Sequence, residues 1–532
     1  MKMKRILGVI LAAIMLIGTL AGCGPKGKLS EAAKQYVETD EKLTLTWLGY
    51  PGCEGKGGNS APELLLEEKF NVDIEPIFYG WGETNQKKVL LLASGVTPDL
   101  MIQMDPANLF TDVEQDYIAE LPYETLKMYA PELTKYITEY IPNSWITTRY
   151  DGKNWGIPNY NHSHETGNTA IWRKDWLDKF GLEVPETLDE MHDAFVKFSK
   201  EDPDGNGKND TWGITTGLGT KTHTFNEIFG AFGVNPYGWM EIDGEIEYGG
   251  LQDGVKEAIK ILAAWYKEGL IHPDFYTPGT ADDNFFASGK VGYALTGYHN
   301  PASASSVIGK LKANFPDAET AYGKLPKGPD GKYGAFSYTA ASNAVSFGNG
   351  EGYEKKVPRM LKMFETIFTD LDLYTELSIG KEGVSWEKTA PDTNGSLSYK
   401  FIGDYTTDTS DKGYSSAAFY SPMFFTLFPP KHEEFLATRS DAWKAWYNEY
   451  DGPEAYISDE FGKTDICPSS PDYDKDLRDN QYAVILEIIV GQKTIDDYAE
   501  FENAFEKDGG TILLEEARQI KEELEQIHKE LK

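Results

Sequence analysis

The sequence predicts an α/β protein of two lobes, and three observations lead there. Strand and helix patterns alternate through the first hundred residues, amphipathic helices and short strands then follow to the C-terminus, and 532 residues exceed what one hydrophobic core organises. "KLTLTWLGY" (42–50) alternates as a strand does and ends in aromatics before the loop "PGCEGKGG". "APELLLEEKF" reads as a helix, "NVDIEPIFYGW" as a strand, and "ETNQKKVLLLASGVTPDLMIQM" as helix, turn and buried strand. Strand, helix, strand, helix, strand is the order of a parallel sheet covered by helices.

Later elements follow from the same rules. Thr187 with Glu190 forms a capping box, and Met191, Ala194, Phe195 and Phe198 recur on one face of the helix that follows. Val255, Ala258, Ile259, Leu262 and Trp265 mark another amphipathic helix, stopped at Gly269. Residues 290–300 read as a strand ending in polar and aromatic residues, 333–348 as a strand passing into a turn, and 360–377 as one helix. The tail is helical over 482–490, over 495–505 behind Thr494 and Asp497, and over 513–531. No internal repeat is visible.

The first 22 residues have the layout of a leader that is removed. Lys2, Lys4 and Arg5 precede an apolar run from Ile6 to Leu20, and Leu20-Ala21-Gly22-Cys23 resembles a bacterial lipobox, in which the cysteine is diacylated. The apolar run is short of the ~20 residues of a membrane span. Cys23 is thus the expected lipidation site, residues 23–40 a tether, and the extracellular face of the bacterial cytoplasmic membrane the expected location. Three of the 51 basic residues lie in the leader, so 48 remain against 85 acidic ones, a net charge of −37. A surface that acidic repels nucleic acid. Only Cys53 and Cys467 are then left, and sequence does not decide whether they pair.

"DPDGNGKND" (202–210) follows the capped helix and sets an acidic or amide side chain at nearly every second position. Asp202, Asp204, Asn206 and Asp210, with the carbonyl of Lys208, are the oxygen donors with which a short loop wraps calcium. Gly205 and Gly207 permit the tight backbone. Position 12, where a sensor loop places a bidentate Glu, is Gly213. One calcium ion is therefore expected, without a sensing role.

Aromatic and amide residues gather at the ends of several strand patterns: Tyr50, Trp81, Asp105, Asn159-Tyr160-Asn161-His162, Trp239 and Tyr298-His299-Asn300. Ligands of open α/β sheets sit beyond the carboxyl ends of the strands. Rings there stack on the C–H face of a sugar, and amides and carboxylates hold its hydroxyls. For any single ring, burial in the core is the stronger reading, and only the set of them points to a sugar. No G-x-S-x-G elbow, H-E-x-x-H pair, phosphate-binding glycine loop or CxxC pair occurs. "HSHE" (162–165) is too loose a pattern for zinc, and Asp189/Glu190 and Asp282/Asp283 read as solvated surface.

"ASGVTPDLM" (93–101), "NWGIPNYN" (154–161), "AIWRKDWLDKFGLEVPETLDEM" (170–191), "DPDGNGKNDTWGI" (202–214), "FFASGKVGYALTGYHN" (285–300) and "GKEGVSWE" (380–387) occur in that order. Together they resemble family 1 extracellular solute-binding lipoproteins, in the long oligosaccharide-binding subgroup that includes alginate-binding proteins. The resemblance implies a two-lobed, periplasmic-binding-protein-like α/β fold of type II, hinged about an inter-lobe cleft. Residues 41–165 with 340–400 would form one lobe, and 166–339 with 401–532 the other. It implies capture of an oligosaccharide by a monomer that delivers it to the permease of an ABC transporter, without catalysis. The implied cleft residues are Tyr50, Trp81, Asp105, Tyr160, Asn161, His162, Trp239, Tyr298, Asn300 and Trp386. The calcium loop would be structural, although it departs from alginate-binding relatives at Thr211. A surface glycosidase or lyase and a peptide receptor are the alternatives.

Overall fold

The computed structural model describes residues 29–48, 61–77, 84–103, 105–160, 168–216, 224–277, 282–297, 307–337, 341–389, 399–403, 456–458, 461 and 466–531. Its strands in chain order are β1 (Leu43–Leu48), β2 (Val72–Ile77), β3 (Leu100–Gln103), β4 (Arg149–Tyr150), β5 (Lys153–Asn154), β6 (Ile157–Tyr160), β7 (Asn168–Arg173), β8 (Trp239–Ile242), β9 (Glu245–Tyr248), β10 (Tyr293–Gly297), β11 (Thr320–Gly323), β12 (Ala335–Ser337), β13 (Ala341–Phe347), β14 (Trp386–Lys388), β15 (Tyr399–Phe401) and β16 (Tyr456–Ser458).

The expected parallel start is present: β1 pairs with β2 in parallel from Leu43↔Val72 to Leu48↔Ile77, and with β3 at Trp47↔Leu100. The five-stranded sheet runs β2-β1-β3-β13-β6. β13, which comes from far downstream in sequence, lies antiparallel to both β3 and β6. β1, β2, β3 and β6 therefore all point the same way. Leu45, Trp47, Leu100, Val345 and Phe347 bury the sheet against helices that include Tyr353–Thr369, whose Val357, Leu361 and Phe364 face inward. One helix was expected over 360–377; the structure breaks it at Asp370, whose carboxylate accepts from the Leu373 N–H and starts a new helix, Leu371–Ile379.

A second sheet, β10-β7-β11, is antiparallel. The helix Leu188–Lys200 packs beside it. Its capping box at Thr187 and Glu190 is formed, and the apolar face read from the sequence is buried together with Trp172 and Tyr293. Trp172 lies 4.7 Å from Tyr293 and 5.7 Å from Phe195, ring centre to ring centre. The helix Asp253–Glu268 also buries its expected face and ends at Gly269 in the left-handed conformation (φ 77°).

Two further features tie the parts together. Residues 36–41 are fastened to the first sheet's helices. The Arg359 guanidinium donates to the carbonyls of Phe70 (2.6 Å), Asn71 (3.1 Å), Thr39 and Glu41, while Lys362 pairs with Glu38 and Lys355 with Glu41. The last helix, Gly510–Leu531, touches both sides of the molecule. Arg518 donates to the Ile246 carbonyl (3.1 Å) and Lys521 to that of Gly244 (2.8 Å) on the β8–β9 hairpin. At its far end Glu530 pairs with the buried Arg149 (3.0 Å) beside the first sheet. Cys467 is buried and its thiol donates to the Leu513 carbonyl, and Cys53 lies outside the described residues. No helix among the described residues is long and apolar enough to cross a membrane.

Candidate functional site

Strand direction decides where the candidate residues go. β1, β2, β3 and β6 are co-directional, so Tyr50, Trp81 and Asp105 follow, and Tyr160 ends, strands that finish at one edge of the five-stranded sheet. The pair Ala341↔Tyr160 sets the start of β13 at that same edge. There β6→β7 therefore crosses from this sheet to the second, and β12→β13 enters it from the separate two-stranded sheet β12-β16. In the second sheet Gly297 pairs with Asn168. The carboxyl end of β10, just before Tyr298, thus adjoins the amino end of β7, just after the segment holding Asn161 and His162. Tyr50, Trp81, Asn161, His162, Tyr298 and Asn300 themselves lie outside the described residues.

Asp105 is half-buried at the amino end of the helix Pro106–Glu114, with Pro106 setting the first turn. Asn108 Nδ2 donates to its carboxylate at 3.5 Å, and Asn85 donates to Asn108 at 2.9 Å. Directly behind lies a buried polar cluster that the sequence did not reveal. Lys88 Nζ donates to Gln103 Oε1 (2.6 Å) and Asp112 Oδ2 (2.7 Å), while Gln103 Nε2 donates to Asp112 (2.8 Å) and Ser346 Oγ (2.7 Å). Burial pushes the Lys88 pKa down, and Asp112 opposes that shift. The cluster fixes β3, β13 and the two helices flanking Asp105 against one another. A lysine at a helical position reads as surface in sequence, so nothing local marked it.

Trp239 and Trp386 are placed differently from the expectation. Trp239 is 1% exposed on the β8–β9 hairpin, with its ring 5.4 Å from that of Tyr248. Trp386 is 5% exposed on β14, and its Nε1 donates to the Gly380 carbonyl at 2.8 Å. Both rings are enclosed by protein, so neither presents an open stacking face. Trp239 opens β8 and Trp386 opens β14, so each stands at the start of its strand and is covered by the turn or hairpin next to it.

The loop 202–210 leaves the helix Leu188–Lys200 through Asp202, which is left-handed (φ 50°), as are Gly205 and Gly207. Asp202 accepts from the N–H groups of Asn206 (3.1 Å) and Gly207 (3.0 Å), and Asn206 Oδ1 from that of Lys208 (2.8 Å). Asn206 Nδ2 stands between the carboxylates of Asp204 (2.8 Å) and Asp210 (3.0 Å), a donor in the position a shared cation would take. Burial, and then the hydrogen bond with Asp202, raise the Asp204 pKa. Asp210 is also paired with Lys290 at 2.9 Å. Among the described residues no three acidic, histidine or cysteine side chains converge as a metal cluster. The donor set is instead two adjacent carboxylates, an amide and a third carboxylate shared with Lys290, all hard oxygen ligands of the kind calcium takes. Thr211 turns inward: it is buried, and its hydroxyl donates to the Phe198 carbonyl at 2.8 Å, closing the helix end.

The model of the family described as bacterial extracellular solute-binding protein matches residues 66–351. The chain is 25% identical over 396 residues to the polygalacturonan/rhamnogalacturonan-binding protein YtcQ of Bacillus subtilis, covering 72% of this chain and 74% of that one. It is 29% identical over 339 residues to the Bacillus subtilis lipoprotein LipO, covering 62% and 63%. Among solved structures, the Streptococcus pneumoniae ABC-transporter substrate-binding protein FusA in complex with kestose aligns over 90% of this chain and 98% of its own, with a TM-score of 0.61 and 19% identity. A structure of a FusA EF-hand mutant with fructo-nystose aligns over 91% and 99%, with a TM-score of 0.61 and 18% identity.

Proposed function

Since the chain belongs to the bacterial extracellular solute-binding protein family, we propose that it captures an oligosaccharide between its two lobes and delivers it to the permease of an ABC transporter. The observation that carries this reading is the edge where four co-directional strands end and the chain crosses between sheets. A ligand held at that edge touches both lobes, so its binding energy favours the closed form. Asp105, held by the Lys88 cluster behind it, supplies a fixed acceptor for sugar hydroxyls. Tyr50, Trp81, Tyr160, Tyr298, Asn161, His162 and Asn300 complete the proposed site. The names of YtcQ and FusA support a saccharide, with pectic and fructose-based oligomers as the first to try.

The loop 202–210 takes one calcium ion through Asp202, Asp204, Asn206, Asp210 and the Lys208 carbonyl. Its oxygen-only donors and the EF-hand named for FusA support this. The ion's part is to neutralise crowded carboxylates and fasten the end of the helix Leu188–Lys200. Lipidation at Cys23 holds the protein, a monomer, at the outer face of the membrane, a reading that the lipobox-like sequence and the likeness to LipO support.

A thermal-shift screen tests the central claim, because a ligand that binds only the native state raises the melting temperature. The panel contains oligogalacturonides, rhamnogalacturonan oligomers, fructo-oligosaccharides from kestose upward and, as controls, short peptides. At least one saccharide should raise Tm and be recovered intact. A response to peptides alone, or cleavage of the saccharide during incubation, would overturn the reading.

A further inference from the structure

A cavity of about 400 Å³ lies between the last helix, Gly510–Leu531, and the flank of the first sheet. Its floor is apolar: Phe110, Ile146, Ile466 and Ile520, all buried, come from four separate segments. Asp151, Pro468, Gln519 and Glu523 also line it and are exposed, so the cavity opens to solvent. Its volume falls in the range of pockets that enclose small ligands.

This cavity stands apart from the strand-end edge that holds Asp105. The helix Pro106–Glu114 starts at that edge and runs roughly 13 Å away from it. At its far end Glu114 accepts the Tyr150 hydroxyl at 2.6 Å, and the Tyr150 ring stacks on Phe110 at 4.9 Å. The β4–β5 hairpin that carries Tyr150 sits at the amino ends of the strands. There the Asn154 carbonyl accepts from the Leu121 N–H (2.8 Å), and the Phe347 carbonyl, opposite Leu100, accepts from Ala119 (2.8 Å).

The polar groups around the opening are fixed in place by the protein. The Glu516 carboxylate accepts from the Ser469 N–H (2.9 Å) and hydroxyl (2.6 Å). Arg149, in the wall, is held by Glu530 at 3.0 Å. Asp151 is left-handed (φ 49°), as is Gly152 (φ 71°), which sets the tight turn of the hairpin. The carboxylates of Asp151, Glu516 and Glu523 oppose an anion, and the Arg149 guanidinium in the wall opposes a cation seated deep. Carboxylates and the Gln519 carbonyl accept hydrogen bonds, so the complement is a neutral group rich in O–H donors. The apolar floor adds the need for a C–H face. We infer that this cavity is a second saccharide site, which takes a neutral mono- or disaccharide independently of the oligosaccharide at the strand-end edge.

Ligand-observed NMR on the purified protein tests this with fructose, galactose and sucrose, beside galacturonate and benzylamine as charged comparators. The neutral sugars should bind, and the comparators should not at equal concentration. Gln519→Trp, which plugs the mouth, should weaken sugar binding at least tenfold, and Glu523→Gln several-fold. Both variants should keep the wild-type Tm, because both side chains are exposed; if Gln519→Trp melts early, Glu523→Gln decides alone. Asp105→Asn should leave the signal unchanged. Binding lost in Asp105→Asn and kept in the two cavity variants would assign the sugars to the strand-end edge and overturn the inference. Silence toward every neutral sugar, or preference for either charged comparator, would overturn it as well. Oligosaccharide capture in the thermal-shift screen stands or falls separately, so these outcomes leave the receptor reading intact.

Discussion

A carboxyl group that burial deprives of water keeps its proton, and Glu227 is such a group. It is 2% exposed, and burial raises its pKa to about 7 despite a hydrogen bond with Tyr293. In the unfolded chain it ionises near 4.5. Between these values the folded state holds more protons than the unfolded one, so its contribution is complete below 4.5 and is lost as pH rises through 7. The difference corresponds to roughly 3 kcal/mol. Glu227→Gln should therefore gain stability relative to the wild type between pH 4.5 and 8, as read by denaturant unfolding at both ends. Identical pH dependence in the two proteins would refute the assignment. The enclosed tryptophans give a second test at this scale. Trp239→Ala and Trp386→Ala should each cost ~3–5 kcal/mol of stability, while the folded fraction binds saccharide with unchanged affinity. Asp105→Asn should do the reverse, weakening binding roughly tenfold with little change in Tm. A stable Trp239→Ala protein that no longer binds would return that ring to the site.

At the scale of elements, the loop 202–210 and the helix before it act as one unit. EDTA should lower the melting temperature and added calcium restore it, while saccharide affinity at low temperature stays the same. Asp204→Ala should make Tm insensitive to EDTA. Metal analysis that finds no calcium in protein purified without chelator would end this reading. Elements of this kind were legible because their signals are local. The capping box at Thr187, the apolar faces of 188–200 and 253–268 and the glycine stop at 269 each need only a few adjacent residues. The break at Asp370 was missed because the apolar pattern continues across it, and only the carboxylate's turn toward the Leu373 N–H ends the helix. The Lys88 cluster was illegible because it closes only when Ser346 on β13 reaches Gln103, and the enclosure of Trp239 because it depends on the hairpin folding Tyr248 back onto the ring. For the site, sequence placed the candidates at the carboxyl ends of strands, and strand direction was needed to bring those ends to one edge.

For the whole molecule, the expected membrane attachment depends on one residue. Cys23→Ser should move the protein from the membrane fraction to the medium, since two acyl chains suffice for stable anchoring. Retention of the variant on membranes at the wild-type level would count against a lipid anchor. The fastening of residues 36–41 then acquires mechanical meaning. Arg359 grips carbonyls on both the incoming segment and the end of the helix Ala61–Phe70, so the tether joins the body at the first lobe and nowhere near the crossing edge. With the chain moored there by an acylated Cys23, the first of the two proposed lobes would be the stator and the second the rotor. Saccharide capture would then displace the second lobe relative to the bilayer while the first keeps its standing height. A permease that senses the rotor's position can thus distinguish loaded from empty receptors without touching the sugar.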